Sequence, residues 1–342
     1  MSNPVPPPPI TRLCDLKHHE RGTFFALLAE RTKGATREGK LFFTCRFRDS
    51  RRKATYMVWG DGPHFRECES VWQPGQFFKI NAKFQDHEKF GAQIDVSKIR
   101  SVEARDAADG FDPDQLGERS RFDSDAMFTE LRELLTTEVS DEPLRGFALS
   151  LLDRNADKIK QLPASPRHFH PFPGGWLEHT LSVARNCLWL VDRYRSHYPD
   201  LEPPLNRDLV VVGAALHEIG RVTELEPSAI LGEPAEPTIE GRLFGHLIAG
   251  RDLIRDAARE HPAVNPELVR LLEHMLLTYL SVPEWGSPRL PLIPEVLILH
   301  HADDLDAKME MYARCLSKDL SPGPFTERDP LLGRHLLKAR SV

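Results

Sequence analysis

The hydrophobic pattern changes period once along the chain. Between residues 12 and 104, apolar and polar positions alternate in short runs rich in aromatic and β-branched side chains, at 23–29, 40–48, 54–59, 76–84 and 93–99. Turn signals at Pro74-Gly75 and Gly91 separate the later runs. Five such strands over roughly 90 residues predict a small barrel. Residues 105–122 have no apolar period and carry Asp106, Asp109, Gly110, Asp112, Pro113, Asp114 and Gly117, which predicts a linker. Beyond it apolar residues recur three and four apart, predicting helices at 124–138, 142–161, 176–198, 207–219, 241–260, 266–280 and 294–316. The prolines at 163, 166, 171 and 173 confine residues 162–175 to a loop. The fold class expected is therefore a β-barrel domain (12–104) followed by an all-α domain (123–320), with a flexible start (1–11) and a peripheral tail (321–342).

Composition narrows the class without changing that picture. The 342 residues suffice for two domains, and 40% hydrophobic with 28% charged residues is globular, which excludes a fibrous or wholly disordered chain. No apolar run approaches the roughly 20 residues of a membrane span. The proline tract at 1–10 lacks the basic and apolar segments of a secretory signal, so a cytoplasmic protein with no membrane partner is expected. The cysteines, Cys14, Cys45, Cys68, Cys187 and Cys315, are scattered and never in CxxC spacing, which fits reduced thiols.

Charge adds a candidate partner. The net charge is −6, yet residues 12–104 hold 18 Lys plus Arg against 12 Asp plus Glu, leaving 27 against 39 elsewhere. A basic module attracts a polyanion by releasing counterions from its phosphates. In an OB-like barrel, aromatic side chains stack on bases while neighbouring cations follow the backbone. Phe43, Phe47, Tyr56, Trp59, Phe84 and Phe90 lie among Arg46, Arg48, Arg51, Arg52, Lys53, Lys83 and Lys89 in that manner. Strands bury alternate residues, so part of this set must fill the core. The candidate contacts to single-stranded nucleic acid are Phe43, Arg46, Arg48, Tyr56, Trp59 and Lys83.

The chemistry concentrates in the helical part. His179, His217-Glu218, His246, His274 and His300 with Asp303 and Asp306 fall within or at the edges of predicted helices, mostly on apolar stripes. A bundle that turns such groups inward buries carboxylates, and a metal ion offsets that cost. Imidazole and carboxylate without thiolate suit Mn, Mg, Fe or Zn. Such an ion activates water for attack on phosphorus. Asp304 and Asp306 read as solvated or helix-terminal, and His274 and His300 as packing or supporting groups. The chain contains no GxSxG, GxxxxGK[ST] or GxGxxG, so no protein nucleophile or nucleotide loop of those kinds is indicated.

At this level a resemblance becomes specific. HTLSV after Gly174-Gly175-Trp176-Leu177-Glu178, ALHEIGRVTEL at 215–225, GRLFGHL at 241–247, LEHMLL at 272–277, GSP at 286–288 and EVLILHHADDLDAKM at 295–309 occur in the order of the HD-domain phosphohydrolases. Together with GKLFFTCRFRDSRRKATYMVW at 39–59, they resemble the YhaM-type 3'-5' exoribonucleases. The resemblance implies an OB-fold barrel, an HD-type bundle and metal-dependent 3'-5' hydrolysis of single-stranded RNA or DNA, RNA being favoured. By position it makes His179, His217, Glu218 and Asp303 metal ligands, gives Arg221 to the substrate phosphate and His246 to that phosphate or to a second metal, and turns His170 toward substrate. It also implies self-assembly.

Two departures stand out. The paired aspartate of the family is Glu218 here, and where the family reads SHHG the chain has Thr278, Tyr279, Leu280 and Ser281, removing two histidine ligands and favouring one ion over two. Two other readings stand beside the exonuclease: a nucleic-acid-binding protein with a weakened HD domain, and an HD-type nucleotide phosphohydrolase.

Overall fold

The computed structural model describes residues 10–87 and 89–338. The chain forms two units, one running to Glu118 and including Ser228–Glu233, the other comprising Arg119–Pro227 and the chain from Pro234 onward.

In the first unit, β1 (Arg21–Ala35), β2 (Leu41–Arg48), β3 (Lys53–Trp59), β4 (Phe77–His87) and β5 (Gly91–Ser101) close into a barrel in the order β1-β2-β3-β5-β4, with α1 (Phe65–Ser70) between β3 and β4. The strand pairs are antiparallel except β3 with β5, which meet in parallel at Thr55 and Gln93. The period of two sends Phe43, Cys45 and Phe47 into a core with Phe24, Trp72, Phe78 and Ile80, while Thr44 and Arg46 point away. All five cysteines are free thiols.

Most of the stretch expected as a linker, residues 105–118, packs against the barrel within the first unit. They make two short 3-10 turns, Ala104–Asp109 and Pro113–Gln115. Leu116 and Phe111 from this stretch, with Ile230 and Leu231 from the returning segment, cover Phe25, Leu27 and Phe77 as a second small core. Asp106, completely buried, accepts two bonds of 2.6 Å from Arg100, one of 3.2 Å from Lys79 and one of 2.8 Å from the Glu103 amide. The bonds from Arg100 hold its carboxyl well below the usual carboxylate range. The acidic run thus supplies the counter-charge of the barrel's own cations.

The second unit is helical: α2 (Ser124–Glu138), α3 (Glu142–Arg154), α4 (Ala156–Ile159), α5 (Gly175–His197), α6 (Arg207–Leu216), α7 (Arg221–Glu224), α8 (Ile239–Glu260), α9 (Pro266–Thr278) and α10 (Pro294–Lys318). Asp123, Asp141, Asn206, Thr238 and Asn265 cap five of these by accepting first-turn amide protons. The expected helix at 142–161 breaks at Asn155, and the one at 207–219 ends at Leu216. Helix α6 is buried on every side, from Leu209 to Leu216, so it forms the axis of the bundle.

The tail is packed as far as Lys338: Thr326 and Leu336 are buried and paired through their backbones at 2.9 Å, and Lys338 bonds Asp319 at 2.7 Å. Of the start expected to be flexible, residues 1–9 lie outside the described residues, whereas Ile10 and Thr11 pair with Thr23. Among the described residues, no helix is long and apolar enough to cross a membrane.

Candidate metal centre

Three elements bring the central residues together. The loop 162–174 delivers the chain to α5 so closely that a Cβ on Gly175 would lie 2.2 Å from the His170 carbonyl oxygen, a separation only glycine permits. His179 follows one turn later and is fully buried. His217 ends α6, and the Trp176 indole fixes the next residue by donating to the Glu218 carbonyl at 2.8 Å. Asp303 and Asp306, three apart on α10, share the face that looks at α5.

His179 Nε2 lies 3.0 Å from Asp303 Oδ1 and 3.2 Å from His217 Nε2, and His217 Nε2 lies 3.5 Å from the same Asp303 oxygen. Donor atoms about 2.1 Å from a tetrahedral ion stand about 3.4 Å apart, so the three atoms match one face of such a shell. The protons agree. His217 Nδ1 donates to the Ala214 carbonyl at 2.8 Å, which leaves its Nε2 a bare lone pair. His179 Nδ1 donates to Asp306 Oδ2 at 2.7 Å, which directs its Nε2 to the centre. Two imidazole nitrogens and a carboxylate oxygen converge there in a fully buried space, and only a cation satisfies all three.

Without a metal, a proton takes that role. Burial pushes the His179 imidazole down, but its bonds to Asp303 and Asp306 outweigh burial and raise it to about 10. Burial also works to raise Asp303, and His179 and His217 hold it well below the usual range.

Asp306, read from sequence as solvated, instead anchors the site. Its Oδ2 also takes a 3.1 Å bond from His170 Nε2, and its Oδ1 accepts from Ser182. The signal for it was the three-residue step from Asp303. His170 is buried and turns its Nε2 to this carboxylate, and its Nδ1 has no partner among the described residues. The same nitrogen-and-oxygen proximity makes His170, His179 and Asp306 a second group with metal-ligand spacing.

Glu218 departs from expectation. Its carboxylate turns away from the triad to Arg221, which donates through Nε and through Nη2 at 3.2 Å, and it accepts a 3.0 Å bond from the Tyr279 hydroxyl. In the turn between α6 and α7, Glu218 points to a different side from His217, and its side chain reaches the Arg221 guanidinium. Arg221 also donates to Glu224, so its fork is committed inside the protein rather than open to a phosphate. His246 stands beside this group, its Nε2 3.0 Å from Tyr279 Oη and its Nδ1 3.5 Å from Glu224 Oε1, with 13% of its side chain exposed. Tyr279 fills the position of an expected histidine as a wall residue, fully buried, its phenol pushed well above the ordinary value by burial. His274 accepts from the Leu292 amide and His300 donates to the Tyr279 carbonyl; both hold backbone.

On the barrel the expected nucleic-acid residues divide. Phe43 is buried in the core, so its ring faces no base, and Arg48 is buried with its donors on the Leu116 and Gly232 carbonyls and Glu233. Tyr56 is half-buried and bonded to His64 at 2.7 Å, and Arg46 is exposed but paired with Glu30 at 2.8 Å. Lys83 is half-buried. Trp59 is exposed, with Lys40 5.4 Å above its ring and Phe42 5.5 Å away across the strand pair. Phe42 was missed in the sequence; its outward phase follows once Phe43 is placed inside.

Comparison with known proteins converges on the same regions. Residues 176–308 match the HD domain family. The chain is 31% identical over 314 residues to a 3'-5' exoribonuclease YhaM of Geobacillus sp., covering 91% of this chain and 90% of that protein. It is 29% identical over 317 residues to the protein of the same name in Listeria innocua serovar 6a, covering 93% and 94%. Among solved structures, a domain of replication protein A from Methanococcus maripaludis covers 28% of this chain and 96% of its own, at 14% identity and a TM-score of 0.23, and carries no argument here.

Proposed function

Given that the chain belongs to the YhaM family of 3'-5' exoribonucleases, we propose that it shortens single-stranded RNA from the 3' end by metal-dependent hydrolysis of phosphodiester bonds. The observation that carries this reading is the convergence of His179 Nε2, His217 Nε2 and Asp303 Oδ1 at metal-ligand spacing in a buried space. A divalent ion bound there, Mn, Fe or Zn by its donor set, supplies Lewis acidity and lowers the pKa of water for attack on phosphorus. Three protein ligands leave open positions, the pattern of a catalytic rather than a structural site.

The protein's own residues do the rest. Asp306, held by His170 and Ser182, keeps the Nδ1 proton of His179 and fixes the ring. The Ala214 carbonyl does the same for His217. His246, partly exposed beside the triad, is the residue we assign to the scissile phosphate. Trp59 with Phe42 offers the barrel's stacking surface to the strand, with Lys40, itself bonded to Asp61 at 2.8 Å, above the Trp59 ring.

The test is a 5'-labelled single-stranded RNA incubated with the protein and Mn(II). Progressive 3' shortening is expected, absent in His217→Ala; shortening unchanged in that variant overturns the metal mechanism. The turn of Glu218 toward Arg221 favours a second reading, a nucleic-acid-binding protein without hydrolysis, which predicts retention of the strand and no shortening. We also assign the protein to the cytoplasm, consistent with five free thiols. Self-association is proposed through the exposed Leu297, Leu305 and Met309 of α10, with sedimentation as the check.

A further inference from the structure

Two of the five free thiols touch. Cys45 Sγ, on β2, lies 3.5 Å from Cys68 Sγ, on α1, and both residues are completely buried in the barrel core. The other three stand elsewhere: Cys14 ahead of β1, Cys187 in the bundle core and Cys315 against Thr326.

The two partners are held very differently. Cys45 shares the inward face of β2 with Phe43 and Phe47 and is fixed between Arg31 of β1 and Tyr56 of β3. Helix α1 has six residues, of which Cys68 alone is buried, while Arg66, Glu67, Glu69 and Ser70 are exposed. The His64 N-cap makes no side-chain bond to its first turn. What fastens α1 is Arg31, donating to the Cys68 and Trp72 carbonyls at 2.5 Å each, and a 2.7 Å bond between the Tyr56 hydroxyl and His64. A short element tied at its rim opens locally at less cost than the strands beneath it. Such an opening uncovers Cys68 and leaves the barrel closed.

The sulfurs are also unequal in acidity. The bond with Cys45 lowers the Cys68 thiol below its ordinary value against the effect of burial, and the Arg31 charge assists. The same bond, with burial, pushes the Cys45 thiol up. Cys68 is therefore the nucleophile of the pair. Bonded sulfurs stand about 2.05 Å apart, so the pair must close by roughly 1.5 Å, a movement that falls to α1.

We propose that Cys45 and Cys68 form a reversible oxidation site, linked by exchange with a small-molecule disulfide, and that the link locks α1 onto β2. The Cys68 thiolate attacks one sulfur of the oxidant, forming a mixed disulfide and displacing a thiolate. Cys45, deprotonated in turn, attacks the Cys68 sulfur and displaces the second thiolate. Two protein thiols are oxidised, one disulfide is reduced to two thiols, and the two protons go to those leaving groups.

The experiment treats the folded chain with oxidised glutathione, blocks remaining thiols with N-ethylmaleimide and maps the digest by mass spectrometry. Wild type is expected to lose two of its five thiols to one intramolecular Cys45–Cys68 link, restored by dithiothreitol. Amide hydrogen exchange across α1 is expected to slow in the linked form. Cys45→Ser should stop at a glutathione adduct on Cys68, and Cys68→Ser should leave Cys45 unmodified. Wild type that keeps both thiols, that joins either to a different cysteine, or that forms the link only in urea overturns the proposal. Exchange unchanged by the link overturns the locking role. Where Cys45→Ser does not fold, Cys45→Ala decides the order of attack by the same map.

Discussion

Each unit buries an ionic cluster, and the two are built on opposite plans. In the barrel, Asp106 meets Arg100, Lys79 and an amide proton, so every oxygen lone pair faces a donor. In the bundle, His179, His217 and Asp303 turn acceptors toward one another, with their protons directed outward to Asp306 and Ala214. Matched charge closes a structure, whereas converging acceptors leave a demand that something mobile must meet. The contrast separates a cluster whose loss should destabilise the protein from one whose loss should leave it folded and inert.

The sharpest break is at the triad. Asp303→Asn is expected to weaken Mn(II) binding beyond the roughly 10- to 100-fold that outer partners account for, and to abolish RNA shortening while the metal-free variant, though less stable, still folds. Calorimetric titration and a melt of the same sample decide it; a variant that unfolds would place the triad with the structural clusters. One step out, Asp306→Asn should cost about 10- to 100-fold in metal affinity, because His179 loses the acceptor that orients it. Unchanged affinity would return Asp306 to the solvated role.

At the barrel the signs reverse. Asp106→Asn should lower unfolding free energy by about 2 kcal/mol in a urea titration without altering metal binding. Asp106 has a folded pKa below its ordinary 3.8, so the stability it contributes is present above that value and lost as pH falls through the folded one. Acid unfolding of the wild type should therefore be steeper than that of the Asn variant. The smallest effect belongs to the surface: Trp59→Ala should weaken single-stranded RNA binding by about 1 kcal/mol, with stability unchanged, as measured by fluorescence anisotropy.

Much of this was legible in the residue pattern, for identifiable reasons. Alternation at 40–48 and the three-and-four spacing after 124 fix strand and helix because burial selects a period. They place Phe43 and Arg48 on opposite faces of β2 but do not say which face is inside, a choice that falls to Trp72 and Phe78, distant in the chain, nor that Leu116 and Gly232 cover Arg48 on its own face. The triad was visible because each member continues an apolar stripe. Glu218 was not, since its partner depends on the competition between an ion and Arg221, and neighbouring sequence says nothing of who wins. Asp106 was hidden likewise: its cations come from β4 and β5, and an acidic run looks the same whether water or arginine faces it.

The return of Ser228–Glu233 to the first unit has a consequence for biogenesis. Leu231 and Ile230 finish a hydrophobic patch over Leu27 and Phe25, and Arg48 bonds the Gly232 carbonyl at 2.7 Å, 184 residues further along the chain. Translation therefore releases all five strands long before the piece that seals them emerges, and the nascent barrel must wait, with an oily seam open, until much of the bundle has been synthesised. An amino-terminal fragment ending at residue 118 should carry that open seam permanently and clump where the whole chain does not.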